Sequence, residues 1–238
     1  MISINNTYKR FGKLEVLKGI NTQFNAGEVV SLIGPNGSGK TTLIKSILGL
    51  VKPNKGSIMV NGVLVNGSPA YRASIGYMPQ IGRYPDNMKV GQLLTMIREI
   101  RNSSTQDTEL EEEFMIDHLR EKALGTLSGG TKQKVNATLA FLFNPSVLIL
   151  DEPTAGLDPL ATEILKSKIA REKKKNKLII VTSHVLSDLQ ELTTHVAYMQ
   201  EGRLIFKKDL PTLQQETGEE KLGPAIAQIM RQQNDTQG

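Results

Sequence analysis

Eight consecutive residues, Gly34-Pro35-Asn36-Gly37-Ser38-Gly39-Lys40-Thr41, fit the phosphate-binding pattern G-x-x-x-x-G-K-[ST]. Their types suit a triphosphate. Glycines let successive backbone N–H groups curl round phosphates, a lysine reaches the β- and γ-phosphates, and a threonine hydroxyl ligates Mg²⁺. Lys40 and Thr41 take those two tasks here, and Thr42 completes the phosphate-binding set. Far along the chain, the apolar run Val147-Leu148-Ile149-Leu150 ends in two carboxylates, Asp151 and Glu152. Asp151 suits the outer shell of Mg²⁺, and Glu152 is placed to orient or deprotonate an attacking water. His184 follows a second apolar run, where a neutral imidazole can hydrogen-bond a γ-phosphate or that water. Ser128, Gly129 and Gly130 precede a helical pattern through Val135, Leu139 and Phe143, a second helix start suited to an anion. Two anion grips with one phosphate loop, one Mg²⁺ acid and one base suggest that the second grip serves another copy's nucleotide across a two-fold interface.

These groups need elements to hold them. Residues 28–33 read as a buried strand entering the loop, and residues 42–48 as a helix whose positive N-terminal end faces the anion. The first 80 residues carry short strand-like runs punctuated by glycine turns, a strand-rich lobe around the loop. Beyond Gln80 the periodicity becomes helical, over residues 90–101 and 109–122. In the latter, Leu110, Phe114, Met115 and Leu119 share a face. A further helix runs from Gly130 to near Phe143, followed by strands at residues 147–150 and 178–182 with helical sequence between them. Strands alternating with helices imply an α/β fold with a parallel sheet, whose strand ends are where ligands bind. A polar tail over residues 207–238 contains a short apolar pattern, Ile226, Ile229 and Met230, expected to pack as a terminal helix.

With 238 residues and 39% hydrophobic content the chain can bury a substantial core. No apolar run reaches membrane-spanning length, the N-terminus lacks secretory features, and there is no cysteine, so a cytosolic location is expected. The net charge of +5 is modest, and no nucleic-acid partner is expected. The basic run at residues 171–177 reads as a solvated helix end.

From about Ile2 to Phe206 the chain resembles the nucleotide-binding domain of ATP-binding cassette (ABC) transporters. Lys40 and Thr41 match the Walker A loop, Asp151 and Glu152 the end of Walker B, and residues 127–131 the signature. Gln80, in Gly76-Tyr77-Met78-Pro79-Gln80, matches the Q-loop, which touches Mg²⁺ and links the core to a helical subdomain. Ala155-Gly156-Leu157-Asp158 matches the D-loop at the dimer interface, His184 the switch histidine, and Phe11 an aromatic that stacks on adenine. The signature usually ends in Gln, whereas this chain has Thr131, which puts the rate in question rather than the class.

The resemblance implies a single domain over residues 1–238. Its P-loop NTPase core has a parallel sheet, an N-terminal antiparallel β lobe and a helical subdomain inserted at about residues 81–143. It further implies ATP and Mg²⁺ as ligands, a homodimer, and a multi-spanning permease subunit that holds the chain on the inner face of the cell membrane. The implied dock is the segment 81–87, with Tyr84 and Pro85 as anchors. The wording of residues 127–158 most resembles cassettes accompanying ABC-2-type membrane subunits, and among them those of the nitrous oxide reductase maturation, or copper-processing, system. Soluble ABC ATPases of translation or DNA repair are the rival reading; they usually carry two cassettes, a long coiled coil or zinc-binding cysteines, none of which is in the sequence. A stand-alone kinase or GTPase is disfavoured by the signature and by the lack of Asn-Lys-x-Asp.

Overall fold

The computed structural model describes residues 1–183 and 190–235. In chain order its strands are β1 (Ile2–Phe11), β2 (Leu14–Phe24), β3 (Val29–Ile33), β4 (Lys55–Val60), β5 (Val63–Leu64), β6 (Ile75–Met78), β7 (Val147–Asp151), β8 (Leu178–Thr182), β9 (His195–Gln200) and β10 (Arg203–Asp209). One antiparallel sheet has the order β2-β1-β4-β5. The other runs β10-β9-β3-β8-β7-β6, parallel throughout except for the antiparallel β10. The expected α/β class with a parallel core sheet and an N-terminal antiparallel lobe is what the chain forms.

The apolar runs of β3, β7 and β8 are strands because both their faces are covered. Side chains alternate between the two faces. Val30, Leu32, Val147, Ile149, Leu178 and Ile180 pack with Leu43, Ile44 and Ile47 of helix α1 (Lys40–Ile47) and with the antiparallel sheet. Val29, Leu148, Leu150, Ile179 and Val181 face the opposite way, into a second core. That core is closed by α2 (Val90–Arg101), α3 (Glu109–Glu113), α4 (Gly129–Phe141) and α5 (Pro159–Lys174). Helices α6 (Leu210–Thr217) and α7 (Leu222–Asp235) extend the chain and cover β9 through Leu213, Leu222, Ala225 and Ile226 against Val196 and Tyr198.

Two local expectations change. The helix expected over residues 109–122 breaks: α3 ends at Glu113, Met115 turns through φ 50°, and a short 3₁₀ segment Ile116–Leu119 follows. The break buries Ile116 and leaves Met115 exposed, so Met115 does not share the buried face of Leu110 and Phe114. The basic run is not simply solvated either. Within and beside it Lys168 and Glu172 have no exposed side-chain surface, and Lys168 binds Asp107 at 2.6 Å and Glu109 at 2.7 Å. Lys175 and Lys177 close on Glu172 from the end of the helix.

Candidate active site

Residues 34–39 turn between β3 and α1, and the turn is wedged against its neighbours. Gly34, Gly37 and Gly39 sit at φ 153°, 80° and 102°. A Cβ at Gly34 would stand 2.1 Å from the Met199 carbonyl oxygen, and one at Gly39 would stand 2.8 Å from that of Val16. Backbone approaching this closely admits only hydrogen at those two positions. The loop is held by Ser38 N–H donating to the Pro35 carbonyl at 3.2 Å and by Gly202 N–H donating to that of Ser38 at 3.1 Å. Lys40 folds back, its ammonium donating to the carbonyls of Gly34 at 2.6 Å and Pro35 at 3.0 Å. Burial lowers the pKa of Lys40, and the charges of Glu152 and Asp151 oppose that shift in part.

Asp151 closes β7 directly opposite Thr182 at the end of β8. The Thr182 hydroxyl donates to Asp151 Oδ1 and accepts the Glu152 N–H at 3.2 Å, while the Thr182 carbonyl accepts the same N–H at 3.1 Å. Tyr77 lies near enough that its hydroxyl is pushed up to about 12, by burial first and by the Asp151 charge second. Glu152 itself sits at φ 52°, a left-handed conformation that costs a non-glycine residue about 1–3 kcal/mol. Its carbonyl accepts Ala155 N–H at 3.2 Å and Gln133 Nε2 at 3.1 Å. Backbone bonds on both sides thus hold a strained residue.

A pocket of about 230 Å³ gathers Val16, residues 36–42, Gln80, Asp151, Glu152 and Thr182. Inside the loop, Ser38 Oγ is buried without a hydrogen-bond partner. An orphaned hydroxyl beside a lysine, in a turn where side chains do not fit, suits a phosphate oxygen. Thr41, Gln80 and Asp151 supply the oxygen donors a magnesium ion takes. A larger cavity, about 660 Å³, lies among Asn6, Tyr8, Lys9, Arg10, Glu15, Asn54 and Lys55, with no phosphate-loop residue in its wall.

The other sequence-derived candidates fall outside the 230 Å³ pocket. Gly34 and Pro35 take part through their carbonyls. Phe11 stands at the tip of the β1–β2 hairpin, half exposed, with the Lys9 ammonium 4.7 Å above its ring. Ser128 caps α4, accepting Thr131 N–H at 3.2 Å and meeting the Thr131 hydroxyl at 2.8 Å. Ser128, Gly129 and Gly130 do not line the pocket, and Ser128 and Gly129 are exposed. His184 lies outside the described residues. Val16 and Thr182 are site residues that sequence reasoning missed. Thr182 was marked only by its place as the last residue of an apolar strand.

A family model described as ABC transporter matches residues 17–155, more than half of the chain. The chain belongs to the ABC transporter family. Nod factor export ATP-binding protein I of Burkholderia lata is 32% identical over 86% of this chain and 69% of its own length. The lantibiotic transport ATP-binding protein SrtF of Streptococcus pyogenes is 31% identical, covering 88% of this chain and 91% of its own. A solved ATP-binding subunit of an ABC transporter superposes with TM-score 0.88 at 27% identity over 97% of this chain and 99% of that one. A dimeric bacterial cassette shares the fold at 22% identity and TM-score 0.77 over 88% of this chain and 99% of that one. The protein is an ATP-binding subunit of this family and an ATPase.

Proposed function

We propose that this cassette closes head to tail with a second copy around two MgATP and thereby drives a separate multi-spanning membrane subunit, working at the inner face of the cell membrane. One observation carries the reading. Lys40, Thr41, Gln80, Asp151 and Glu152 converge on one pocket, whereas Ser128 and Gly129 stand exposed outside it, at a helix start aimed at solvent. A site split this way is completed by the Ser128–Gly130 face of a partner copy.

Each residue then has a task. Residues 34–42, with the Ser38 hydroxyl, bind the phosphates; Lys40 neutralises charge on the β- and γ-phosphates. Glu152 orients the attacking water and takes its proton, and His184 hydrogen-bonds the γ-phosphate side. Phe11 offers its ring to adenine. Thr41, Gln80 and Asp151 would hold magnesium, which would supply neutralising charge to the phosphates. No helix among the described residues is long and apolar enough to cross a membrane. The membrane subunit is a separate partner in this reading, in keeping with relatives whose names are those of transport and export ATP-binding proteins. The cargo reading, copper processing for nitrous oxide reductase maturation, is supported by the wording of residues 127–158 alone.

The test is the concentration dependence of ATP hydrolysis. Because two copies complete each site, activity of the purified chain rises more steeply than linearly with protein concentration while dimerisation limits. Constant specific activity under strong dilution into the monomer range contradicts the shared site.

A further inference from the structure

Behind the pocket runs a chain of buried polar side chains that none of these tasks uses. Gln133 and Asn136, both on α4, are 4% and 1% exposed. Gln133 Nε2 donates to the Glu152 carbonyl at 3.1 Å, Asn136 Nδ2 donates to Gln133 Oε1 at 3.1 Å, and the Tyr84 hydroxyl donates to Asn136 Oδ1 at 2.8 Å. The direction follows from chemistry. A carbonyl only accepts, so Gln133 must turn its amide nitrogen to Glu152 and its oxygen to Asn136. Asn136 must then offer nitrogen to Gln133 and oxygen to Tyr84, which leaves Tyr84 as the donor. Burial raises the Tyr84 pKa, so the hydroxyl keeps its proton at neutral pH.

The geometry points to Gln133, Asn136 and Tyr84 as positioning residues for Glu152, a relay that fixes the Glu152 peptide from the side opposite the phosphate loop. The inference rests on Glu152 being the group that activates water. Three features support it. Glu152 is in a left-handed conformation that needs external restraint, and the relay supplies a bond to its carbonyl beside that from Ala155 N–H. Buried amide chains of this kind polarise one another and are rigid when every member is satisfied. Finally, the outer end is backed by a tight backbone contact: a Cβ at Gly82 would stand 2.4 Å from Asn136 Oδ1 and 2.7 Å from the Tyr84 ring. The segment 81–87 carries Tyr84, so displacement there moves the relay and with it the Glu152 peptide. Tyr84 is consequently turned inward, leaving Ile81 and Pro85 as the exposed apolar residues of that segment.

The test measures kcat and KM for ATP at protein concentrations where dimerisation is not limiting. Tyr84→Phe removes one hydroxyl and keeps the ring. The relay lowers its kcat about three- to tenfold, the worth of one hydrogen bond, with KM unchanged. Gly82→Ala, which removes no polar group but displaces Asn136, lowers kcat in the same way. Adding Tyr84→Phe to Asn136→Leu costs nothing further, since the chain is already cut. In a Glu152→Gln background, Tyr84→Phe changes the residual rate less than twofold. An unchanged kcat in Tyr84→Phe, a change confined to KM, or an equal loss with and without the Glu152 carboxylate each overturns the relay and leaves the assignment of Glu152 intact. A parent rate in Glu152→Gln alone overturns that assignment and the relay together.

Discussion

Thr182 shows how one hydroxyl can serve two carboxylate residues. It donates to the Asp151 side chain and accepts the Glu152 N–H, so the residue proposed to face magnesium and the one proposed to face water share a single anchor. Groups that orient metal ligands commonly cost ten- to a hundredfold in metal affinity when removed. Thr182→Val, which keeps the shape and loses the hydroxyl, therefore raises the Mg²⁺ concentration for half-maximal hydrolysis by about tenfold. A magnesium titration of the rate checks this; an unchanged midpoint removes Thr182 from the site. The phosphate loop and the Asp151–Glu152 pair were legible in the sequence because their chemistry demands residue types at short, fixed spacing. Thr182, Gln133 and Asn136 were not, because their partners Glu152, Glu152 and Tyr84 are 30, 19 and 52 residues away and meet them only through strand register and helix packing. Thr131 departs from the usual signature residue, yet it occupies the Ser128 hydroxyl directly, a contact that sequence alone did not indicate.

At the scale of elements, α5 is tied to Asp107 and to Glu109 at the start of α3 through Lys168, which with Glu172 is fully buried. Burial alone pushes Glu172 up, but hydrogen bonds from Lys175 and Lys177, with the charges of Lys177 and Lys168, outweigh it and hold the carboxyl at about 2. A carboxyl depressed in the folded state stabilises above its unfolded value near 4.5, and that stability is lost as pH falls towards about 2. Glu172→Gln leaves Lys177 without its buried counter-charge while Lys168 keeps Asp107 and Glu109, a loss of about 3 kcal/mol at neutral pH. The difference in urea midpoint between parent and variant is accordingly largest at pH 7 and narrows below pH 4.5; a gap that stays constant with pH contradicts the ionic account. The sequence hid this cluster. A run of lysines at a helix end has the pattern of a solvated surface, and only the packing of Asp107 and Glu109 against it shows otherwise. The strands were easier: runs covered on both faces are apolar at every position, whereas the break at Met115 came from tertiary packing of Ile116, which helical periodicity cannot register.

At the scale of the molecule, the parallel sheet presents the ends of β3, β7 and β8 to the 230 Å³ pocket, while α2 to α4 pack on the sheet's second core. Segment 81–87 leaves the sheet beside Gln80 and exposes Ile81 and Pro85. Exposed apolar residues on a loop that also carries the relay's outer end suit a partner that pushes mechanically. The proposed partnership predicts that the chain will co-purify with a multi-spanning protein from detergent-solubilised membranes, and that Ile81→Ser with Pro85→Ala will weaken that recovery while ATP binding is kept. Mass spectrometry of an affinity pull-down decides between this and recovery of ribosomal or DNA-repair proteins only, which favours a soluble ABC role.

The central claim is that ATP joins two copies and that Glu152 separates binding from hydrolysis. Sizing by light scattering of the Glu152→Gln variant with ATP and Mg²⁺ tests both parts at once. The variant binds nucleotide but slows its chemistry by about 10² to 10⁴, the usual loss for a general base, so it accumulates as a dimer carrying two ATP. Lys40→Ala, lacking a charge-assisted phosphate contact, stays monomeric under the same conditions. A Glu152→Gln chain that is saturated with ATP and remains a monomer contradicts the account.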